Sequence, residues 1–192
     1  FLQFAGILID FGLIPVTAQM LGSGLYEQNK LFKNLLGYRF TTAIVFFSIT
    51  PLVGLLFPYP TEVKMAIGLL SISFLAIAMN QVLTGYYQKE LRMQIPVLGE
   101  IVGRIILVGG LIIGQMLHVD FLNIMLVVTV ASVAYTAVLW ISAARRESAG
   151  FAFDWSIWAV ITKTMWPIAV SVIFNVVYLK GDTILLSLYR TQ

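Results

Sequence analysis

The stretch from Ile95 to Leu117 reads IPVLGEIVGRIILVGGLIIGQML. A hydrocarbon core about 30 Å thick needs roughly 20 apolar residues in a helix to cross it. This run meets that length and carries only two charges, Glu100 and Arg104. Apart from Asp10 and Lys163, the remaining charges cluster about one such length apart. The clusters are Glu27 to Arg39, Glu62 with Lys64, Lys89 to Arg92, His118 with Asp120, Arg145 to Asp154, and Lys180 to Arg190. The runs between them are apolar all round, whereas a membrane barrel would show segments of about 10 residues alternating in polarity. In lipid, only helices and closed barrels satisfy the backbone. The pattern therefore predicts an all-α fold, a polytopic transmembrane helix bundle.

Composition points the same way. Hydrophobic residues make up 59% of 192 residues and charged residues 11%, where a soluble domain carries about 25% charged residues. The net charge of +3 comes without a basic block or an aromatic-basic surface, so a nucleic-acid partner is not expected. There is no cysteine and one histidine, His118. Thiolate chemistry, disulfides and multi-histidine metal sites are thereby excluded. No phosphate-binding glycine loop, dinucleotide fingerprint or zinc-protease motif occurs, and neither a cofactor nor a metal is expected.

Six spans are expected: residues 1–21, 38–57, 64–87, 95–117, 121–143, and 155–180 with room to continue to 189. Between the first two, Gly22 to Lys33 is expected to form an interfacial amphipathic helix, with Leu25, Leu31, Leu35 and Leu36 facing lipid. Phe57-Pro58-Tyr59-Pro60 reads as a rigid surface turn, and His118-Val119-Asp120 as a tighter one. Trp155, Trp158 and Trp166 suit an aromatic belt. Lys30, Lys33 and Arg39 follow the first span, Lys89 and Arg92 the third, Arg145 and Arg146 the fifth; the loops after the second and fourth hold Lys64 alone. Cytoplasmic loops carry the excess of Lys and Arg, so the loops after spans one, three and five are expected inside. The first span then enters from outside. A further helix is expected before Phe1, and the chain reads as a fragment of a longer protein.

Charges and polar groups inside the spans are the candidate site. Glu100 and Arg104 are i and i+4, hence on one helix face. A lone charge there costs about 3 kcal/mol or more. Pairing lowers that cost, and the arginine fork suits phosphate oxygens; a structural ion pair is the competing reading. Asp10 stands mid-span beside Gly12 and Pro15, as a partner for a cation, a proton carrier or a packing residue. Arg39 opens the second span at the inner surface, where headgroup contact is the first expectation and substrate contact the second. Lys163, about two turns into the last span, can reach substrate or snorkel to the surface. Asn175, Tyr178 and Asp182 recur at i, i+3 and i+7, one stripe that lines a cavity or bonds neighbouring helices. Asn80, Gln81 and Thr84 allow the same two readings. His118 reads as a surface residue.

Four segments in order resemble one family. They are Asp10-Phe11-Gly12-Leu13; Asn34-Leu35-Leu36-Gly37-Tyr38-Arg39; Tyr87-Gln88 with Leu91-Arg92-Met93, leading to Glu100, Gly103 and Arg104; and Pro167 followed by Gly181-Asp182-Thr183-Ile184-Leu185-Leu186. Together they are similar to the polysaccharide flippases of the multidrug/oligosaccharidyl-lipid/polysaccharide exporter superfamily. Ala18-Gln19-Met20 departs from the charged pair many relatives have there. The resemblance implies helices two to seven, mainly one bundle of a two-bundle exporter fold, with the first helix and the C-terminal half missing. It implies a protein of the inner (cytoplasmic) membrane that moves lipid-linked oligosaccharide or polysaccharide precursors across it by alternating access. Its partners would be the lipid-linked glycan, membrane lipids and the missing C-terminal bundle. The alternative is an ion-coupled multidrug or small-molecule exporter of the same superfamily, with Asp10 in its cation site. A membrane transferase is disfavoured, because the external loops are short and offer little beyond Glu62, Asp120 and His118. No enzyme activity is expected.

Overall fold

The computed structural model describes residues 13–168, except 25, 56–59 and 147–148, together with residues 170, 171 and 174. Asp10, Asn175, Tyr178 and Asp182, Leu25, the Phe57–Tyr59 turn and the ends of the first and last expected spans lie outside the described residues. Among the described residues every regular element is a helix. In order they form α1 (Leu13–Gly22), α2 (Gln28–Leu55), α3 (Thr61–Lys89), α4 (Gln94–Met116), α5 (Phe121–Ala144) and α6 (155–168). Three of these, α3, α4 and α5, are long and apolar enough to cross a membrane. At about 1.5 Å per residue each exceeds a 30 Å hydrocarbon core.

α3 is the central helix. It packs against α1, α2 and α5, while α4 leans mainly on α5. The pairings fix direction. Phe32 stacks on Tyr86 at 4.6 Å and Phe47 on Phe74 at 5.6 Å, so α2 and α3 are antiparallel. Thr129 bonds to the Leu69 carbonyl and Thr136 to that of Ala76, so α3 and α5 are parallel. Consequently Lys30, Lys33, Lys89, Arg92, Arg145 and Arg146 gather at one end, here called the basic end. Gln28, Lys89 and Glu90 tie the start of α2 to the end of α3 there, with the ammonium 2.7 Å from Gln28 Oε1 and 2.6 Å from Glu90 Oε1.

The interfacial helix expected before the second span is not separate. α2 begins at Gln28 and runs unbroken through Tyr38. Leu31, Leu35 and Leu36 are buried, not lipid-facing, and pack with Leu13, Val16, Leu83 and Tyr86 in the core. The reason is contact on two sides: α3 covers one flank, and the segment leading into α6 crosses the other. That crossing is specific. Ala152 N–H donates to the Lys33 carbonyl at 3.1 Å, and Asp154 N–H donates to Asn34 Oδ1 at 2.8 Å. A Cβ on Gly37 would collide with the Ala152 carbonyl oxygen, so only glycine admits the strap this closely. Phe151 fills the space beside Phe40 and Trp140, and Tyr38 meets Trp158 edge-on.

α4 meets α5 through small residues. Gly99, Gly103, Gly110 and Gly114 recur at spacings of four and seven, and a Cβ on any of them would crowd an α5 or adjoining-loop atom. Among lipid tails there is no hydrophobic drive to join helices, so close backbone packing and interhelical hydrogen bonds do the work. Both turns at the ends of α3 and α4 close by the same device. Leu91 and His118 adopt left-handed φ of 56° and 49°. The next N–H reaches back to the carbonyls of Tyr87 and Gly114, at 2.9 and 3.0 Å. His118 is exposed on its turn, as expected.

Candidate functional site

The charged pair on α4 forms as its spacing dictates. Arg104 Nε and Nη2 lie 2.9 and 2.6 Å from Glu100 Oε1. Gly99 and Gly103, the residues just before each, face α5; Glu100 and Arg104 therefore point elsewhere. Their side chains are 49% and 73% exposed, amid the exposed apolar groups Val97, Ile101, Ile105 and Val108. Both bonds end on a single carboxylate oxygen. Among the described residues, Oε2 and most of the five guanidinium N–H donors make no further bond.

Arg39 sits elsewhere and is used differently. It is 2% exposed, with Nε donating to the Ala78 carbonyl at 3.2 Å and Nη2 donating to Gln81 Oε1. The expected headgroup contact gives way to a buried clamp between α2 and α3. Its cause is the length of α2, which places Arg39 about a dozen residues inside the helix rather than at its mouth. The run Asn34 to Arg39 thus divides its labour: Asn34 and Gly37 receive the strap, Leu35 and Leu36 fill the core, and Arg39 holds α3. Lys163 is exposed on α6. Glu100 with Arg104, Arg39 and Lys163 therefore occupy three different settings on three helices.

A polar seam joins α3 to α5, and the sequence reading missed it. Ser73 and Ser132 hydroxyls are 2.6 Å apart. Thr129 and Thr136 each donate to an α3 carbonyl at 3.2 Å, and Tyr87 Oη donates to the Leu139 carbonyl at 2.9 Å. Thr129, Ser132 and Thr136 stand at i, i+3 and i+7, so their shared face was legible in the α5 sequence by the spacing that marked Asn175 to Asp182. Such interhelical bonds contribute roughly 0.6 kcal/mol each in a membrane. Asn80 is 5% exposed, and neither its Oδ1 nor its Nδ2 has a hydrogen-bond partner among the described residues.

At the basic end the strap is held electrostatically. Asp154 Oδ1 accepts from Ser156 N–H and Oγ at the start of α6, and Oδ2 lies 3.1 Å from Lys30 Nζ. The Ser156 hydroxyl first, and Lys30 second, hold this carboxyl at about 2. Glu90 is likewise held below its ordinary range, chiefly by its bond to Lys89.

No protein family, no curated protein and no solved structure matches this chain. What stands on its own geometry, among the described residues, is an all-helical fold with three helices of membrane-crossing length and an ion pair on the outward side of one of them.

Proposed function

We propose that this chain is one bundle of a transporter that moves lipid-linked oligosaccharide or polysaccharide precursors across the cytoplasmic membrane by alternating access. In this reading six spans cross that membrane and the basic end lies in the cytoplasm. The observation that carries it is the Glu100–Arg104 pair. A guanidinium 73% exposed on a helix of membrane-crossing length is costly against lipid even when paired, where a lone charge costs about 3 kcal/mol or more. The cost falls away if that side of α4 borders a water-filled cavity rather than acyl chains. Transporter sites commonly lie at mid-membrane between two bundles. Arg104 stands about 15 Å along α4 from Gln94, at 1.5 Å per residue, which is near the middle of the span. Its uncommitted N–H groups suit the phosphate oxygens of a lipid-linked sugar, with Glu100 setting the orientation of the fork.

The test is complementation of a deletion strain, reading surface polysaccharide with membrane protein level as control. Arg104→Ala is expected to lower surface glycan by about tenfold or more, the scale of losing one charged hydrogen-bond pair. Arg104→Lys keeps the charge without the fork and falls between. The swapped pair Glu100→Arg with Arg104→Glu keeps the ion pair but moves the cation by a turn, and should not rescue. Normal glycan from Arg104→Ala at normal protein level would overturn the reading. Loss of drug efflux with normal glycan would favour a small-molecule exporter instead.

A further inference from the structure

A second basic feature lies away from α4. At the basic end of α5, an open cavity of about 590 Å³ is lined by Val138, Ile141, Ser142, Arg145 and Arg146. The volume is in the range that holds a small ligand. Its lining changes character along the helix. Val138 and Ile141 are apolar, and Ile141 is 52% exposed; one turn later come a hydroxyl and two exposed guanidinium groups. Spacings of three and four residues put Val138, Ile141, Ser142 and Arg145 on one face. A carboxylate that Arg146 acts on is already committed: Glu90 is bonded to Lys89 and Gln28, and Arg146 adds only a weaker pull on it. Glu147 follows in the sequence and lies outside the described residues.

An apolar wall that ends in two arginines and a hydroxyl, at the end of a membrane-length helix, matches one chemistry: a phosphodiester with a hydrocarbon tail. We propose that this groove seats the headgroup of an anionic phospholipid. Arg145 and Arg146 hold the phosphate oxygens, the Ser142 hydroxyl, bonded to Tyr87, marks the groove's polar edge, and the first acyl chain lies along Ile141 and Val138. Guanidinium forks fit phosphate in two-point geometry, and basic pockets between or beside membrane helices are known to take acidic headgroups. The site rests on the membrane reading given above but not on the transported substrate. Because Tyr87 Oη bonds the Leu139 carbonyl just above it, a seated lipid would brace the seam between α3 and α5.

Native mass spectrometry of the whole protein from mixed phosphatidylglycerol and phosphatidylcholine micelles tests this. The wild type is expected to retain phosphatidylglycerol in preference to phosphatidylcholine. Arg145→Gln with Arg146→Gln should lower that retention by about tenfold or more, since both basic groups that attract acidic lipid are lost. Ile141→Trp, which fills the groove without altering charge, should also displace the lipid. Arg92→Gln, at the same end but outside the groove, should leave it. Equal loss with Arg92→Gln would show general surface attraction and overturn the site. Competition by glycerol phosphate as strong as by the lipid would overturn the acyl part and leave a soluble-phosphate site. Firm membrane integration without any phosphatidylglycerol preference overturns this site alone. Release of the protein by alkaline carbonate overturns both the site and the membrane reading.

Discussion

The sharpest stability test compares one chemical change at two places on α4. A Cβ on Gly103 would lie 3.1 Å from the Ala131 carbonyl oxygen and 3.2 Å from Tyr135 Cβ. Both neighbours are fixed to the α5 backbone, so neither can swing aside, and α5 must back away by a few tenths of an ångström. Overpacking of that kind costs about 1–3 kcal/mol. Alanine returns at most about 1 kcal/mol through its better helix propensity. Gly103→Ala should therefore be destabilised by about 1 kcal/mol net. Gly109 lies on the same helix with nothing within 4 Å of its Cβ position. Gly109→Ala keeps the propensity gain and should be stabilised by up to about 1 kcal/mol. Gly99→Ala should fall with Gly103→Ala, although its contacts, Leu139 Cδ1 at 2.5 Å and the Tyr135 ring at 2.7 Å, are side chains with some freedom. Detergent-titration unfolding of the purified protein, followed by tryptophan fluorescence, reads the order directly. If Gly109→Ala loses as much as Gly103→Ala, or if Gly103→Ala gains, α4 does not meet α5 through its glycine face.

Three further outcomes follow from single sites. Asn80→Leu replaces an unpartnered buried amide with an apolar group of similar shape, and should raise the unfolding free energy by about 1–3 kcal/mol; a fall would reveal that the amide is bonded after all. Leu91→Gly relieves a left-handed φ of 56° and should stabilise by about 1 kcal/mol, seen as a higher thermal midpoint, whereas an unchanged or lower midpoint counts against that turn. The folded Asp154 carboxyl titrates at about 2 against 3.8 in the unfolded chain. Its stabilising contribution is therefore complete above 3.8 and is lost as pH falls through about 2. The midpoint difference between wild type and Asp154→Asn should be flat from pH 8 to about 5 and shrink below about 4; a difference that changes near neutral pH would refute the assignment.

Of the candidate site, the sequence could place Glu100 against Arg104, because an i, i+4 pair is decided inside one helix. It could not place Arg39. Whether an arginine near the start of an apolar run meets headgroups or a neighbouring helix depends on where the helix begins. At that start Gln28 bonds across to Glu90, a contact spanning most of two helices. The leucines of α2 misled for the same reason: an amphipathic pattern shows that a face will be covered, not by what. The α3–α5 seam was readable as a row of hydroxyls on α5, but its acceptors are α3 carbonyls, which carry no sequence signature.

The sequence by itself determined that the protein is helical, how long its apolar helices are and which charges share a face, since each follows from the repeat of one helix. It also held the glycine spacing of α4. Only the tertiary structure decided what those faces meet. It turned Asn34 and Gly37 into the seat of a strap, buried Arg39, and left Glu100 with Arg104 facing outward. The physical reason is that a helix spaces its side chains through local hydrogen bonds, while the partner of each face is chosen by contacts between residues far apart in the chain.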